Sequence, residues 1–456
     1  MKPSRLRAPV RSGALIAGVA LLLTLTSVST ASGSTHSAAA AQGRSAKTTQ
    51  NTLVVEDGWV GTPGRIATLT AIAKAFEKSH PGVTIAIRSQ TFAQLLATGV
   101  LELSGSSAPS VFAVNQGYGS LGELVKDHLL VSLNSYAAKY HWSSIQSPTL
   151  LAIDGRQSAT TIGSGALYGV CATGDWVGIY YNTNLLKKIG QGVPRTFGQF
   201  THDLALAKKA GIVPMATGAG SGDDLMLHLW WLEMLAQAPN LQQIRNLVDG
   251  VGHGSWNSPA VVNSARTLAQ WAHDGYFSPG YTGQSLTASV AQFAAGKALF
   301  LSAGSWITAG LVSLGNHIGM IPMPSATSAH GPEGIATGGQ VLAIPARSPN
   351  HALAAEFLNF LIGQQAARMY LKSNQLPATI VPGELNLAHG LTKVVAAGWL
   401  SAAKGSAPMP YPDWAAPDFF NLLLGLMPEL TTGRITPVQF GSQLQQNYLQ
   451  FRKTLG

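Results

Sequence analysis

Ten tryptophans mark where chemistry could be done in this 456-residue chain, because several of them fall at expected loops or element ends. Trp59 follows Gly58 and precedes Gly61, Trp176 follows Asp175, Trp306 follows Gly304-Ser305, and Trp414 follows Asp413. Trp230 and Trp256 also fall near element ends, whereas Trp142, Trp271 and Trp399 are expected to pack in the core. A flat indole covers the apolar C–H face of a polyhydroxylated ring, and a neighbouring carboxylate or amide bonds its rim of hydroxyls. The pattern therefore suits capture of such a solute.

Motifs for catalysis are missing or incomplete. There is no His-Glu-x-x-His, no paired-cysteine pattern, and the 12 histidines are dispersed, so no metal site is expected. No Gly-x-Ser-x-Gly elbow occurs. Gly296-Lys297 lacks the first glycine and the following Ser/Thr of a phosphate loop, and Gly218-Ala-Gly220-Ser-Gly222 has the wrong spacing for a dinucleotide fingerprint. Ser401-Ala-Ala-Lys404 stands without the companion motifs of an acyl-enzyme. Nothing nominates a hydrolytic carboxylate pair among the 20 acids. The expectation is a binding protein, not an enzyme, with no cofactor.

Length and composition bound the scaffold. The chain is long enough for two or three domains, and 46% apolar residues can fill a large core. The net charge of +9 is uneven: Lys2, Arg5, Arg7 and Arg11 precede any acid, and without them it falls to +5. The remaining charges are scattered, which excludes a nucleic-acid face. That basic start, the apolar run Ala14 to Leu25 and the small residues Ser29-Thr30-Ala31 have the order of a signal peptide, residues 1–31. The strongly apolar stretch is shorter than the roughly 20 residues of a spanning helix, although an uncleaved anchor over Gly13 to Ala31 is the alternative. The single cysteine, Cys171, permits no disulfide within the chain and no lipid anchor at the cleavage site, and is expected to be a small buried residue.

Residues 32–51, rich in Ser, Ala, Thr and Gly, read as a flexible linker. From Thr52 the pattern alternates between periods. Leu53 to Val55 is an expected strand, and Thr62-Pro63 an expected helix opening, with Ile66, Leu69, Ala73 and Phe76 on one face. Val83 to Ile87, Ser110 to Asn115, Val177 to Tyr181 and Val341 to Ile344 are further strands. Thr196 to Gln199 and Thr436 to Gln439 are capping boxes, and His351 to Leu371 reads as one long helix. The β-α-β rhythm implies an α/β fold in two lobes, each a mostly parallel sheet flanked by helices.

Five segments resemble the sugar-binding proteins of bacterial ABC importers, the extracellular solute-binding proteins of maltose-binding type. Phe76 to Val83 is similar to that family's first helix and its exit. Leu167 to Val170, through Asp175-Trp176 to Asn182, resembles the crossover into the second lobe, and Pro194-Arg-Thr-Phe197 opens the next helix. Gly275-Tyr276, Phe293 to Ala298 and Gly304-Ser305-Trp306 resemble the aromatic ligand loop. Gly338 to Pro345 with Ala354 to Leu358 is similar to the return into the first lobe. Cys171 stands where the crossover commonly has proline, and the lipid-anchored cysteine of many relatives is missing.

The resemblance implies a hinged, periplasmic-binding-protein-like fold, with lobe I over 52–171 and 336–378 and lobe II over 175–325 and 385–456. Crossings would lie near Ala172–Asp175, Pro324–Ala336 and Gln375–Pro382. The cleft would hold Trp59 and Gln340 from lobe I, Asp175 and Trp176 at the hinge, and Trp230, Trp306, Asp413 and Trp414 from lobe II. Trp256 is expected to pack, and Asp223 and Asp224 to cap a helix. The partners implied are a sugar, membrane permeases and a separate cytoplasmic ATPase; the protein would be an exported monomer at the cell surface or in the periplasm. A polyamine is the alternative solute, which Asp175, Asp223, Asp224 and Asp413 would suit, although the basic chain weighs against it. A secreted glycosidase is the alternative from another class, and a receptor reporting to a membrane sensor is a third.

Overall fold

The structure, a computed structural model, describes residues 51–220, 224–252, 254–328, 330–331, 334–380, 383–404 and 409–455. The expected signal peptide, the linker except Asn51, and Asp223 lie outside the described residues. Twelve strands are described: β1 Thr52–Asp57, β2 Thr84–Ser89, β3 Val111–Val114, β4 Arg156–Gln157, β5 Ala166–Leu167, β6 Gly169–Cys171, β7 Gly174–Asn182, β8 Val213–Ala216, β9 Ala298–Gly304, β10 Ile318–Ile321, β11 Ile335–Gly338 and β12 Val341–Ala343. They build two five-stranded sheets, ordered β2-β1-β3-β12-β6 and β10-β7-β9-β8 with β11 also on β7, while β4 pairs β5.

In the first sheet β1 runs parallel to β2 and β3, and β12 is antiparallel to β3 and β6. The second sheet departs from the expected parallel order: only β8 and β9 are parallel, while β7 is antiparallel to β9, β10 and β11. The reason lies at the crossing. β7 runs away from the first sheet, whereas β9, β10 and β11 all run back toward it, as Gly304 opposite Val177 and Gly338 opposite Gly174 record. Three chain segments lie side by side there: Gly339 N–H donates to Thr173 O at 2.7 Å, Gly174 N–H to Leu376 O at 3.1 Å, and Ala378 N–H to Ala172 O at 3.0 Å. Because β11 belongs to the second sheet, the chain returns to the first at Gly339-Gln340, beyond the expected Pro324–Ala336.

Local chemistry sets the helix ends. The first helix, Arg65–Ser79, begins three residues after Thr62, because Gly64 turns left-handed at φ 75° and no side chain caps it. Thr91 and Gln94 form a complete capping box ahead of Phe92–Ser104, as do Thr436 and Gln439 ahead of Pro437–Thr454. The expected single helix from His351 is two, His351–Ile362 and Gln364–Lys372, because Gly363 is extended at φ −77° and ψ 166°. Glycine in a helix interior costs about 1 kcal/mol relative to alanine, so the break is cheap there.

The apolar interior forms two clusters. One includes Leu53, Val55, Phe76, Val111 and Phe357 around the first sheet, together with Trp142 and Trp399. The other includes Phe200, Trp230, Trp231, Trp256, Trp271 and Phe440 on one face of the second. Cys171 is buried and unpaired. The described residues contain no helix long and apolar enough to cross a membrane.

Candidate functional site

A cleft of about 390 Å³ opens where strands end and loops begin. In open α/β sheets ligands settle beyond the carboxyl ends of strands, where the loops diverge. Here β1 runs out into Gly58-Trp59, β3 into Asn115-Gln116, and β9 into Ser305-Trp306, all of which line the cleft except Ser305.

On the first-sheet side, Trp59 is half-buried, and its backbone N–H donates to Asp57 Oδ1 at 3.0 Å. The Arg65 guanidinium lies 4.2 Å over its ring, a cation–π contact that holds the indole from behind. Arg65 Nη2 in turn donates to Asp175 Oδ1 at 2.6 Å, and Ser305 Oγ donates to the same oxygen at 3.1 Å. Burial pushes the Asp175 carboxyl up, opposed by the Arg65 charge and by these hydrogen bonds. Asp175 thus faces the cleft with Oδ1 engaged twice and Oδ2 accepting from Thr173 Oγ1 at 3.5 Å. Gln340 Oε1 accepts from Gly58 N–H at 3.2 Å, and a Cβ at Gly58 would fall 2.6 Å from the Gln340 amide nitrogen. A methyl group added at Gly58 would push the Gln340 amide out of this contact.

The second-sheet side carries Trp306, Asp224, His228, Tyr411 and Asp413. Trp306 lies over Gly304, where an added Cβ would meet its ring at 2.0 Å. The His228 ring packs edge-on to Trp306 at 5.7 Å and to Tyr411 at 5.5 Å. Asn115 Nδ2, from the first sheet, donates to Asp413 Oδ2 at 3.0 Å and so bridges the cleft; Phe92 and Phe420 meet across it with ring centroids 5.7 Å apart. Burial pushes the carboxyls of Asp224 and Asp413 up to about 7, with the neighbouring Asp224 charge adding to the effect on Asp413 and the Asn115 bond opposing it. Burial holds His228 down at about 3. At 3.6 Å, His228 Nδ1 and Asp224 Oδ1 are beyond hydrogen-bond reach, so desolvation outweighs their mutual attraction and favours the neutral form of each.

The cleft therefore gathers Trp59, Asp175, Trp306, Gln340 and Asp413 from the residues singled out in the sequence. Trp176, Trp230 and Trp414 lie elsewhere, and period explains each case. Successive residues of a strand point to opposite faces; Asp175 faces the cleft, so Trp176 turns away, wedged between Gly178 and Gly398, and its indole donates to Val395 O at 2.9 Å. On the helix Leu225–Gln237, Trp230 follows His228 by two positions, roughly 200° around the axis, and its indole donates to Ser264 Oγ in the core. Trp414 is buried beside Tyr411, at 5.8 Å, and against Gly117, while Tyr411 and Asp413 take the cleft. Trp256 stacks on Trp231 at 5.9 Å in the interior. Asp224 occupies the N-cap position without a side-chain cap bond, and its carboxyl lines the cleft instead.

Arg65, Asn115, His228 and Tyr411 escaped the sequence reading. Their signals were faint: His228 lies four residues after Asp224, and Tyr411 two before Asp413. Arg65 and Asn115 carried none. No group of three or more His, Cys, Asp or Glu among the described residues could hold a metal ion.

The architecture has many solved relatives. A chitin oligosaccharide binding protein superposes with a TM-score of 0.74 at 22% identity, covering 88% of this chain and 99% of its own. A solute-binding protein of an ABC transporter from Thermotoga lettingae, bound with α-D-tagatose, gives 0.71 at 15% identity over 88% and 100%. A sugar transporter protein from Bacillus licheniformis in complex with stachyose gives 0.64 at 19% identity over 88% and 100%. These likenesses establish the two-lobed α/β fold. No curated protein matches the chain in sequence. The model of one family, bacterial extracellular solute-binding protein, matches residues 61–368. With two thirds of its length matched, the chain belongs to the family of bacterial extracellular solute-binding proteins.

Proposed function

We propose that this protein is the exported substrate-binding component of an ABC-type sugar importer, that it captures an oligosaccharide in the cleft, and that it catalyses nothing. The observation that carries this reading is the pairing of Trp59 and Trp306 on opposite sides of one cleft, with carboxylates and amides at its rim. Indole faces stack on sugar C–H surfaces, and the polar rim selects hydroxyl positions. Structures of similar fold were solved with raffinose, tagatose and stachyose.

In this reading lobe I spans 52–171 and 339–378, its return moved from the expected 336 because β11 belongs to the second sheet, and lobe II spans 175–325 and 385–456, a monomer hinged at the three adjacent crossings. Ligand touches both walls only when they approach, so its differential affinity drives closure. The closed form is what two membrane permeases, powered by a cytoplasmic ATPase, would recognise. A signal peptide over 1–31 would direct export.

A thermal-shift screen of the purified chain against mono- and oligosaccharides tests the reading, since a ligand of the native state raises Tm by mass action. A shift with one sugar class, and that sugar recovered unchanged, is the expected result. Conversion of the sugar would make the protein an enzyme, and silence across all sugars would refute sugar capture.

A further inference from the structure

Three polar groups at the Tyr411 end of the cleft lack the partners their chemistry asks for. Asp224 makes no cap bond to its helix, although it occupies the N-cap position. His228 is 3% exposed, lines the cleft, and its Nδ1 has no hydrogen-bond partner. Asp413 accepts from the Asn115 amide and from its own backbone N–H. The described lining residues include no lysine or arginine, and the nearby Arg65 is committed to Asp175.

His228 Nδ1 and Asp224 Oδ1 sit 3.6 Å apart without bonding; with its proton on Nε2, a neutral imidazole would present a lone pair at Nδ1. Both await a donor. We infer that the solute of this cleft carries a cationic nitrogen, an amine on the sugar, seated among Asp224, Asp413 and His228 Nδ1. This rests on the sugar-binding reading above. A primary ammonium has three N–H donors, matching two carboxylates and one imidazole nitrogen. A hydroxyl offers one donor and no charge.

The walls agree with that charge. Trp306 and Tyr411 flank the acceptors, and aromatic faces attract a desolvated cation. An ammonium would also relieve the burial that drives both carboxyls toward protonation near pH 7. The other acidic group among the described lining residues, Asp175, keeps Arg65 as its own counterion.

A polyamine carries the same ammonium, so the test separates the two sources. Calorimetry of the purified chain at neutral pH would compare glucosamine and its β-1,4 trisaccharide with the N-acetylated counterparts, with glucose and maltotriose, and with spermidine. Amino sugars are expected to bind at least tenfold more tightly than their acetylated and hydroxyl counterparts. Asp224→Asn and Asp413→Asn should each erase most of that preference. Equal or tighter binding of the neutral sugars, or a preference that survives both substitutions, overturns the cationic ligand and leaves sugar capture standing. Binding of spermidine alone keeps the cationic nitrogen and removes the sugar. No heat with any of these probes, from a chain that melts cooperatively, overturns the inference.

Discussion

Arg65 and Asp175 form an ion pair at 2.6 Å with both side chains only 3% exposed, and the pair joins the first helix to the strand that enters the second sheet. Arg65 also lies against the face of Trp59. One carboxylate at the crossing therefore fixes the position of a cleft indole through an intervening guanidinium. Asp175 serves the site partly by holding this arrangement.

Removing one partner of a buried pair leaves the other charge stranded, at a cost of about 3–5 kcal/mol. Arg65→Ala should lower stability by that order in denaturant titrations. Adding Asp175→Asn should recover part of the loss. A singly substituted chain as stable as the parent would mean that the pair is not dry in solution.

Tryptophans of the two classes should separate cleanly. Trp306→Ala removes a cleft wall and should weaken ligand binding by about 2 kcal/mol, the size of an aromatic hot spot, with Tm nearly unchanged. Trp230→Ala opens a core cavity and should cost about 3–5 kcal/mol of stability. Calorimetry and thermal melts on the two variants read both effects.

Gly304→Ala offers a gentler probe of the same wall. The new methyl would sit 2.0 Å from the Trp306 ring, which must then swing out of the cleft. Affinity should fall about tenfold, equivalent to 1.4 kcal/mol, and indole fluorescence should report the changed environment. Unaltered affinity would show that the ring position does not matter to the ligand.

Stability should fall as pH rises from about 4 to 7. Burial raises Asp154, Asp224 and Asp413 to about 7, and Asp203 and Asp249 to about 6, from an ordinary 3.8. In that window the folded chain keeps protons that the unfolded chain has released, so their contribution is complete below about 4 and is lost toward 7. His228, held at about 3 against an ordinary 6.5, acts oppositely, its contribution vanishing as pH falls from 6.5 to 3. Five carboxyls outweigh one imidazole. Melting curves between pH 5 and 7.5 should show the higher Tm at the acidic end, and a flat profile would contradict this balance.

Much of the scaffold was legible because it rests on local rules. Period-two and period-3.6 patterns placed β1, β2, β3 and the helices opened by Thr196 and Thr436. Gly363 ended a helix that periodicity alone extended. Strand direction in the second sheet was not legible, because it depends on which end of β7 faces the crossing.

The candidate site divides along the same line. Sequence by itself determined that aromatic rings beside glycines and acids would be available, and Trp59, Trp306, Asp175 and Asp413 stand in the cleft in keeping with that neighbourhood. It could not determine which way each ring points. Trp176 has the same local signature and Trp230 was expected at an element end, yet a one-residue step along a strand or a two-residue step around a helix turns them into the core. Only the tertiary structure brought Asn115 to Asp413 and Arg65 to Asp175, residues 298 and 110 positions apart. Contacts at such separations are decided by how whole elements pack, and no local pattern encodes them.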